Sequence, residues 1–426
     1  MLRNIYMESF FHLIIEKEEL QLGTVITNVR IVGAEEFSVI ENGMVRFDNT
    51  GIRSVGKHLE MTREDEVVDG KGATLLPGLI DCHIHLGMDA SPDPFKQIEE
   101  DDDATLALRA VKQASQFLAN GITTVRNVGS KNNIDISFRE AVKKGLVSGP
   151  NIVASGMPIV MTGGHCHVMA IEADGLYEVQ KAARAQIKAQ ADLLKIMATG
   201  GVLTKGTDPG ASQYELEEIK CACQEAHKAS LTVAAHAIGL EGVKNAIKGG
   251  VTTIEHGGYL DDEAVQLMVE KGTYLVPTLI AARLLLKPEN KGAPQYMIDK
   301  VTSYVDHHKK SFQKALNKGV KIVAGTDAGT PFNYPGYLAD ELELMVAAGM
   351  SKLEALKSAT YTAACSMNIE DQVGRIKEGL RADFILVDGN PLDSVKALKN
   401  IVKVYQNGQV VVNYENLHPE KVGINV

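Results

Sequence analysis

The sequence predicts an α/β protein: a (β/α)8 TIM-like barrel with a small β-sandwich domain built from both chain ends. Three observations carry this expectation. Apolar runs of strand type alternate with helical periods through the middle of the chain, and turn-punctuated β-prone runs sit at both ends. The 426 residues are 45% hydrophobic and 23% charged, which supplies a large core and excludes a disordered or collagen-like chain.

The first zone spans residues 1–77. Thr24-Val25-Ile26-Thr27-Asn28-Val29-Arg30-Ile31-Val32 is β-prone, Asn42-Gly43 precedes Met44-Val45-Arg46-Phe47, and Asn49-Thr50-Gly51 precedes Ile52-Arg53-Ser54-Val55. An Asn-Gly pair between such runs signals a hairpin, because both central residues of that turn need positive φ. The last zone, residues 368–426, repeats the style with Phe384-Ile385-Leu386-Val387, Ile401-Val402-Lys403-Val404-Tyr405 and a turn at Asn407-Gly408. Two separated β segments can pair into one domain with a barrel inserted between them. Residues 1–22 match neither pattern. Their apolar patch, Phe10-Phe11-His12-Leu13-Ile14-Ile15, is too short for a signal core, and no small-residue cleavage site follows it.

The middle zone, residues 78–367, has candidate strands ending near His83, Asn127, Gly156, Met197, His236, His256, Thr278 and Asp327. Helical spacing is found at 104–118, 177–190, 214–229, 240–248 and 261–271. A doubly wound open sheet also alternates strands and helices, but eight strands favour the closed form. The acidic run at Asp101-Asp102-Asp103 suits a helix start, where the dipole favours carboxylates. Cys221 and Cys223 lie in a helical pattern without further Cys partners and read as core residues rather than zinc ligands.

A formal charge of −10 argues against nucleic acid or an anionic membrane as partner. Five sparse cysteines point to a reducing compartment, and no apolar stretch approaches the roughly 18–20 residues that span a bilayer. A cytoplasmic location is expected, and a homo-oligomer is compatible with the helical outer ring.

The chemistry begins at Asp81-Cys82-His83-Ile84-His85. Residues i and i+2 of a strand face the same side, so both imidazoles can point into the barrel mouth. His236, His256 and Asp327 each close another apolar β run, and Gly239, Gly257 or Gly329 follows within three residues. Such strand ends converge on the C-terminal face of a barrel. Four imidazoles and a carboxylate meeting there fit a transition-metal site, with zinc the commonest hydrolytic choice.

Lys195 stands in the otherwise apolar Leu193-Leu194-Lys195-Ile196-Met197. Two readings stay open: it snorkels out to an acidic neighbour, or it is neutralised and carries CO2 as a carbamate able to bridge two metals about 3.5–4 Å apart. Five further side chains are candidates. His165 and His167, after Gly163-Gly164, either orient a substrate carboxylate or are simply exposed. Tyr259 either donates its hydroxyl to substrate or keeps it wet at the surface. Arg126 and Arg283 are cationic candidates near strand ends two and seven.

His83-Ile84-His85, Lys195, His236, His256 and Asp327 resemble the amidohydrolase superfamily over nearly the whole chain. The flanking Leu76-Pro77-Gly78-Leu79-Ile80-Asp81 and Gly379-Leu380-Arg381-Ala382-Asp383-Phe384 share the resemblance. It implies a binuclear site with two divalent ions. His83, His85 and Asp327 would serve one ion, His236 and His256 the other, and Lys195, as N6-carboxylysine, would be shared. The segments Met161-Thr162-Gly163-Gly164-His165, Lys195-Ile196-Met197-Ala198-Thr199-Gly200-Gly201 and Glu255-His256-Gly257-Gly258-Tyr259 look like the prolidase-type branch. That branch includes Xaa-Pro dipeptidases, carboxypeptidases releasing C-terminal basic residues, and ochratoxin-cleaving amidases. Imidazolone-ring hydrolases look similar in the flanking motifs but follow a mononuclear pattern without the strand-four lysine.

The resemblance therefore implies hydrolysis of the peptide bond of dipeptides, Xaa-Pro foremost (a small peptide or N-acyl amino acid as substrate), by metal-activated hydroxide, with Asp327 as catalytic proton shuttle. Arg/Lys/Phe-type carboxypeptidase and lactone or phosphotriester hydrolase activities are the alternatives. Ala237-Ile238-Gly239 after His236 lack the Glu of the superfamily's mononuclear deaminases, which disfavours deamination.

Overall fold

The structure is a computed structural model that describes residues 23–415, so the apolar patch at residues 10–15 lies outside the described residues. Strand Thr74–Pro77 pairs antiparallel with Phe384–Val387, placing Pro77 opposite Phe384 and Thr74 opposite Val387. That pairing joins the two chain ends into one eight-stranded sheet.

Where the sequence predicts a sandwich, the chain ends form a single hydrogen-bonded sheet. Phe47 of strand Val39–Asp48 meets Phe384 at 4.8 Å and Tyr405 at 5.4 Å between ring centroids. Around these rings pack Ile26, Ile31, Val45 and Leu386, all buried. Edge-to-face aromatic contacts of this kind add to the apolar burial that holds the two halves together.

One turn expectation is corrected. Asn42-Gly43 does not form a hairpin, because strand Val39–Asp48 runs straight through it. Ile31 pairs with Ile40 but Val29 pairs with Gly43, so one extra residue is accommodated as a bulge. Asn42 takes φ 51°, which an Asn tolerates better than most residues. The Asn407-Gly408 turn does form, with both residues at positive φ and Gln406 opposite Gln409.

Between the two ends lie parallel strands buried on both faces, as expected when helices cover a parallel sheet. Leu79–Ile84, Ile122–Asn127 and Asn151–Ala154 form a three-stranded sheet. Ile159–Val160, Ile171–Glu172, Leu193–Met197, Thr232–Ala237, Thr253–His256 and Tyr274–Val276 form a six-stranded one.

Residues 321–327, expected as the eighth strand, form isolated bridges instead of a ladder. Ile322 bridges Leu275, and Ala328 bridges Ile84, so this segment runs between the two sheets. Val323 and Asp327 N–H also bond Leu275 O and His83 O, whereas Ala324 N–H bonds Ser358 O and Thr326 N–H bonds the Asp81 carboxyl group.

The expected helical stretches appear as Asp103–Ala119, Gly175–Lys188, Leu216–Lys228, Leu240–Gly249 and Asp262–Lys271. Asp102 caps the first by accepting from Thr105 N–H at 2.8 Å. Cys223 is buried and Cys221 half-buried, and both are free thiols. An additional helix, Gln295–Asn317, brings Val301 and Tyr304 to the cavity at the strands' C-terminal ends. No helix among the described residues is long and apolar enough to cross a membrane.

Candidate metal centre

The C-terminal ends of the parallel strands surround a cavity with an empty volume of about 700 Å3, counting its mouth. His83, His85, His165, Lys195, His236, His256 and Asp327 all line it. The imidazoles form a continuous chain: ring centroids are 5.3 Å apart for His83 and His85, 5.1 Å for His83 and His256, and 4.7 Å for His236 and His256. His165 extends this chain, 4.4 Å from His236. Asp327 Oδ1 lies 3.3 Å from the Nε2 atoms of both His83 and His85. One ligand-capable atom from each of these three residues falls within a 4.8 Å span.

Hydrogen bonds behind the rings decide which nitrogen faces the cavity. His83 Nδ1–H donates to Glu255 Oε2 at 2.7 Å, and His85 Nδ1–H donates to Gly129 O at 3.2 Å, leaving each Nε2 as a free lone pair. In His236 the pattern inverts, because Nε2–H donates to Gly200 O at 3.0 Å and Nδ1 is left free. His256 Nδ1 pairs with Thr278 Oγ1 at 2.7 Å.

Burial holds His85, His165 and His256 below the usual imidazole range and His236 down at about 3, so the rings are neutral donors. Burial would raise the Asp327 carboxyl, but its close contacts with the His83 and His85 rings outweigh burial and hold it well below the usual carboxylate range.

Glu255, which the sequence reading passed over, is the hub beneath the cavity. It is fully buried and accepts from Arg126 Nη2 at 2.8 and 3.0 Å, from His83 and from Thr253 Oγ1. Burial alone would raise its pKa; Arg126 and His83 instead bring it down to about 2. Arg126 also donates to Cys82 O at 2.6 Å and Thr253 Oγ1 at 3.0 Å, so this candidate cation is a support for the site and does not line the cavity. The available signal was a pair of opposite charges in two interior strands, each of which needs the other.

Lys195 is 1% exposed, and no salt bridge to it is found among the described residues. Burial lowers its pKa, so the amine is pushed towards its neutral, nucleophilic form. Imidazoles held by hydrogen bonds, an ionised carboxylate and a buried amine without an acid partner form a donor set suited to divalent cations.

Other candidates fall outside the cavity. His167 is exposed, as is Arg283 on helix Leu279–Leu285. Tyr259 stacks on His307 at 5.0 Å and directs its hydroxyl towards Ser303 O, while Tyr304 supplies the phenol that lines the cavity. Helix Gln295–Asn317 was absent from the sequence reading, which left Tyr304 unseen.

The sequence profile of the amidohydrolase family matches residues 74–411. The chain is 30% identical over 403 residues to ochratoxinase from Aspergillus niger, covering 87% of this chain and 82% of that protein. Among solved structures it is similar to a Xaa-Pro dipeptidase with bound methionine in the active site, at 34% identity and TM-score 0.84, over 91% of this chain and 99% of that one. A prolidase complexed with N-methylphosphonate-L-proline is similar at 31% identity and TM-score 0.86, over 92% of this chain and 100% of that one.

Proposed function

The chain belongs to the amidohydrolase family, and from that premise we propose that it is a two-metal hydrolase of the amide bond preceding a C-terminal amino acid, with Xaa-Pro dipeptides as preferred substrates. The observation that carries the reading is the convergence of His83, His85, His236, His256, Lys195 and Asp327 on one cavity. His83, His85 and Asp327 would hold one ion, His236 and His256 the second, and Lys195, carboxylated by CO2, would be shared between them. Divalent ions held there, zinc foremost, would supply Lewis acidity and bring the pKa of water towards neutrality.

The chain's own groups divide the remaining work. Asp327, ionised and facing the cavity, accepts the proton of the attacking water and returns it to the departing nitrogen. Water thus adds OH to the acyl carbon and H to the amine, and the C–N bond breaks. A proline nitrogen is a tertiary amide without N–H, so protonation on departure matters more than a prior hydrogen bond. His165, held by Thr204 Oγ1 at 3.0 Å beside His236, is placed to orient the substrate carboxylate.

Similarity to a Xaa-Pro dipeptidase and a proline-analogue complex supports proline on the leaving side. A second reading, an N-acyl amidase releasing another apolar residue, draws on the ochratoxinase relative and on the cavity wall of Met88, Phe95, Leu203, Leu285 and Val301. Asp327 is the only acid among the described lining residues, which disfavours a basic leaving residue. The test is a dipeptide panel assayed with zinc and bicarbonate, comparing Xaa-Pro, Xaa-Phe and Xaa-Arg. Equal rates across the three would remove the proline assignment. Metal analysis showing no transition metal in the active protein would remove the two-metal reading.

A further inference from the structure

The helix Leu279–Leu285 begins at Thr278, in the position where a threonine hydroxyl ordinarily accepts an N–H of the first turn. Thr278 makes no such cap. Its backbone is left-handed, φ 50° and ψ 43°, a costly conformation for a β-branched residue. Its Oγ1 lies instead 2.7 Å from His256 Nδ1. With the hydroxyl accepting, Nε2 of His256 is left free to face the cavity.

The abandoned cap is supplied from 62 residues along the chain. Glu341, on helix Leu338–Ala347 and 0% exposed, accepts Leu279 N–H on Oε1 at 2.9 Å and Ile280 N–H on Oε2 at 2.7 Å. Each oxygen of the Glu341 carboxyl group thus serves one of the first two amides of the helix. That helix also sends Ala281, Ala282 and Leu285 into the cavity wall.

We propose that Glu341 is a positioning residue for the metal centre: by capping the helix it releases the Thr278 hydroxyl to fix the ring of His256. The Thr278 oxygen has two competing uses, its own helix and the imidazole. Without Glu341, one buried and one half-buried N–H group lack an acceptor, and the nearest replacement is the hydroxyl that now holds His256. Burying orphan amides is costly, so the hydroxyl is drawn back to the helix and the ring loses its partner. The apolar wall from Ala281 to Leu285 loosens with it.

The proposal rests on the two-metal reading for its consequence, but its first test needs no metal. In metal-free protein labelled with 15N-histidine, the His256 ring should show a single tautomer in the wild type. The same pattern should hold in Thr278→Ser, and a tautomer mixture should appear in both Thr278→Val and Glu341→Ala. Calorimetric zinc titration should then show the weaker of the two binding steps reduced about 10–100-fold in Glu341→Ala, the usual loss when a ligand's hydrogen-bond partner is removed. Glu341→Gln, which keeps one acceptor, should fall between. A folded Glu341→Ala, by circular dichroism, with the wild-type tautomer pattern and unchanged zinc steps would overturn the proposal. Should Glu341→Ala fail to fold, Glu341→Gln decides by the same two readings. A wild type that takes up one ion would sink the two-metal reading, while the ring spectra would still judge Glu341.

Discussion

Replacing Glu255 by Gln removes one negative charge from beneath the cavity and leaves the Arg126 guanidinium buried at 1% exposure without its counter-ion. Breaking a buried pair in this way costs about 3–5 kcal/mol. The pKa of Glu255 gives an independent figure. It stands at about 2 in the fold against an ordinary 4.5, a gap worth roughly 3 kcal/mol of stability. Because the folded value is depressed, that contribution is fully present above pH 4.5 and is lost as pH falls through about 2. The assay is guanidinium unfolding of metal-free protein at pH 7, followed by far-ultraviolet circular dichroism, so that ion binding adds nothing to the folded side. A second variant separates charge from positioning. Arg126→Met combined with Glu255→Leu removes both charges and should recover most of the lost stability. It still leaves His83 Nδ1 without an acceptor, so affinity for the ion held by His83, His85 and Asp327 should stay about 10–100-fold down. A Glu255→Gln protein that unfolds at the wild-type denaturant concentration would refute the reasoning.

Asp327→Asn should keep the fold and lower kcat by about 10^2–10^4, the usual worth of a positioned proton carrier, with ligand loss adding to it; steady-state kinetics at saturating zinc measure the drop. Lys195→Ala should lose tight binding of one ion, and added propionate should restore part of the activity by supplying a carboxylate in the vacated space; absence of any rescue would count against a carbamate. Metal-free protein should lose stability as pH falls below about 6.5, because His85, His165, His236 and His256 are held below their unfolded value and must bind protons on unfolding. The slope should approach about 1.4 kcal/mol per pH unit for each such ring, read from denaturant midpoints between pH 7 and pH 4.

The candidate ligands were legible because they stand in or just beyond apolar strand-type runs, where position along the chain indicates which way a side chain faces. His83 stands near the end of strand Leu79–Ile84 with His85 just beyond it, and His236 and His256 lie at the ends of two adjacent strands of one sheet, His236 one residue before the last. What supports them was harder to read, since it depends on contacts between distant elements. Glu255 serves His83 across 172 positions, and Arg126 reaches Glu255 across 129. Tyr259 and Tyr304 show the same division. Three residues separate Tyr259 from His256, yet the strand-six loop carries its ring outward to His307. Tyr304 comes inward because helix Gln295–Asn317 crosses the cavity mouth, a placement no local period encodes. At Asn42-Gly43 the turn signal was present, but positive φ at an Asn serves a bulge as well as a hairpin, and pairing with Thr24–Val32 selected the bulge.

The backbone itself is distorted where the chemistry sits. His256 ends its strand, Thr278 follows strand Tyr274–Val276, and Asp327 ends the bridged segment at 321–327; all three take left-handed φ, at 71°, 50° and 64°. None is a glycine, and each such residue costs about 1–3 kcal/mol. An ordinary strand ending would carry the chain onward along the strand direction. A left-handed residue reverses it at once, so the last side chain stays over the cavity while the loop departs. The glycines that follow at 257 and 329, also at positive φ, complete the reversal. Local hydrogen bonds hold the strained residues. Thr330 Oγ1 and Asn333 Nδ2 both donate to Asp327 O, at 2.7 and 3.0 Å, and Gly257 N–H donates to Ala237 O at 3.1 Å. Substituting glycine at His256 or Asp327 would relieve the backbone and delete the ligand, so the cost cannot be avoided without losing the donor. The strain is therefore tied to presenting a carboxylate and an imidazole at the rim, and Asn333, fully buried and bonded to two carbonyls of that reversal, is the residue whose loss should release it first.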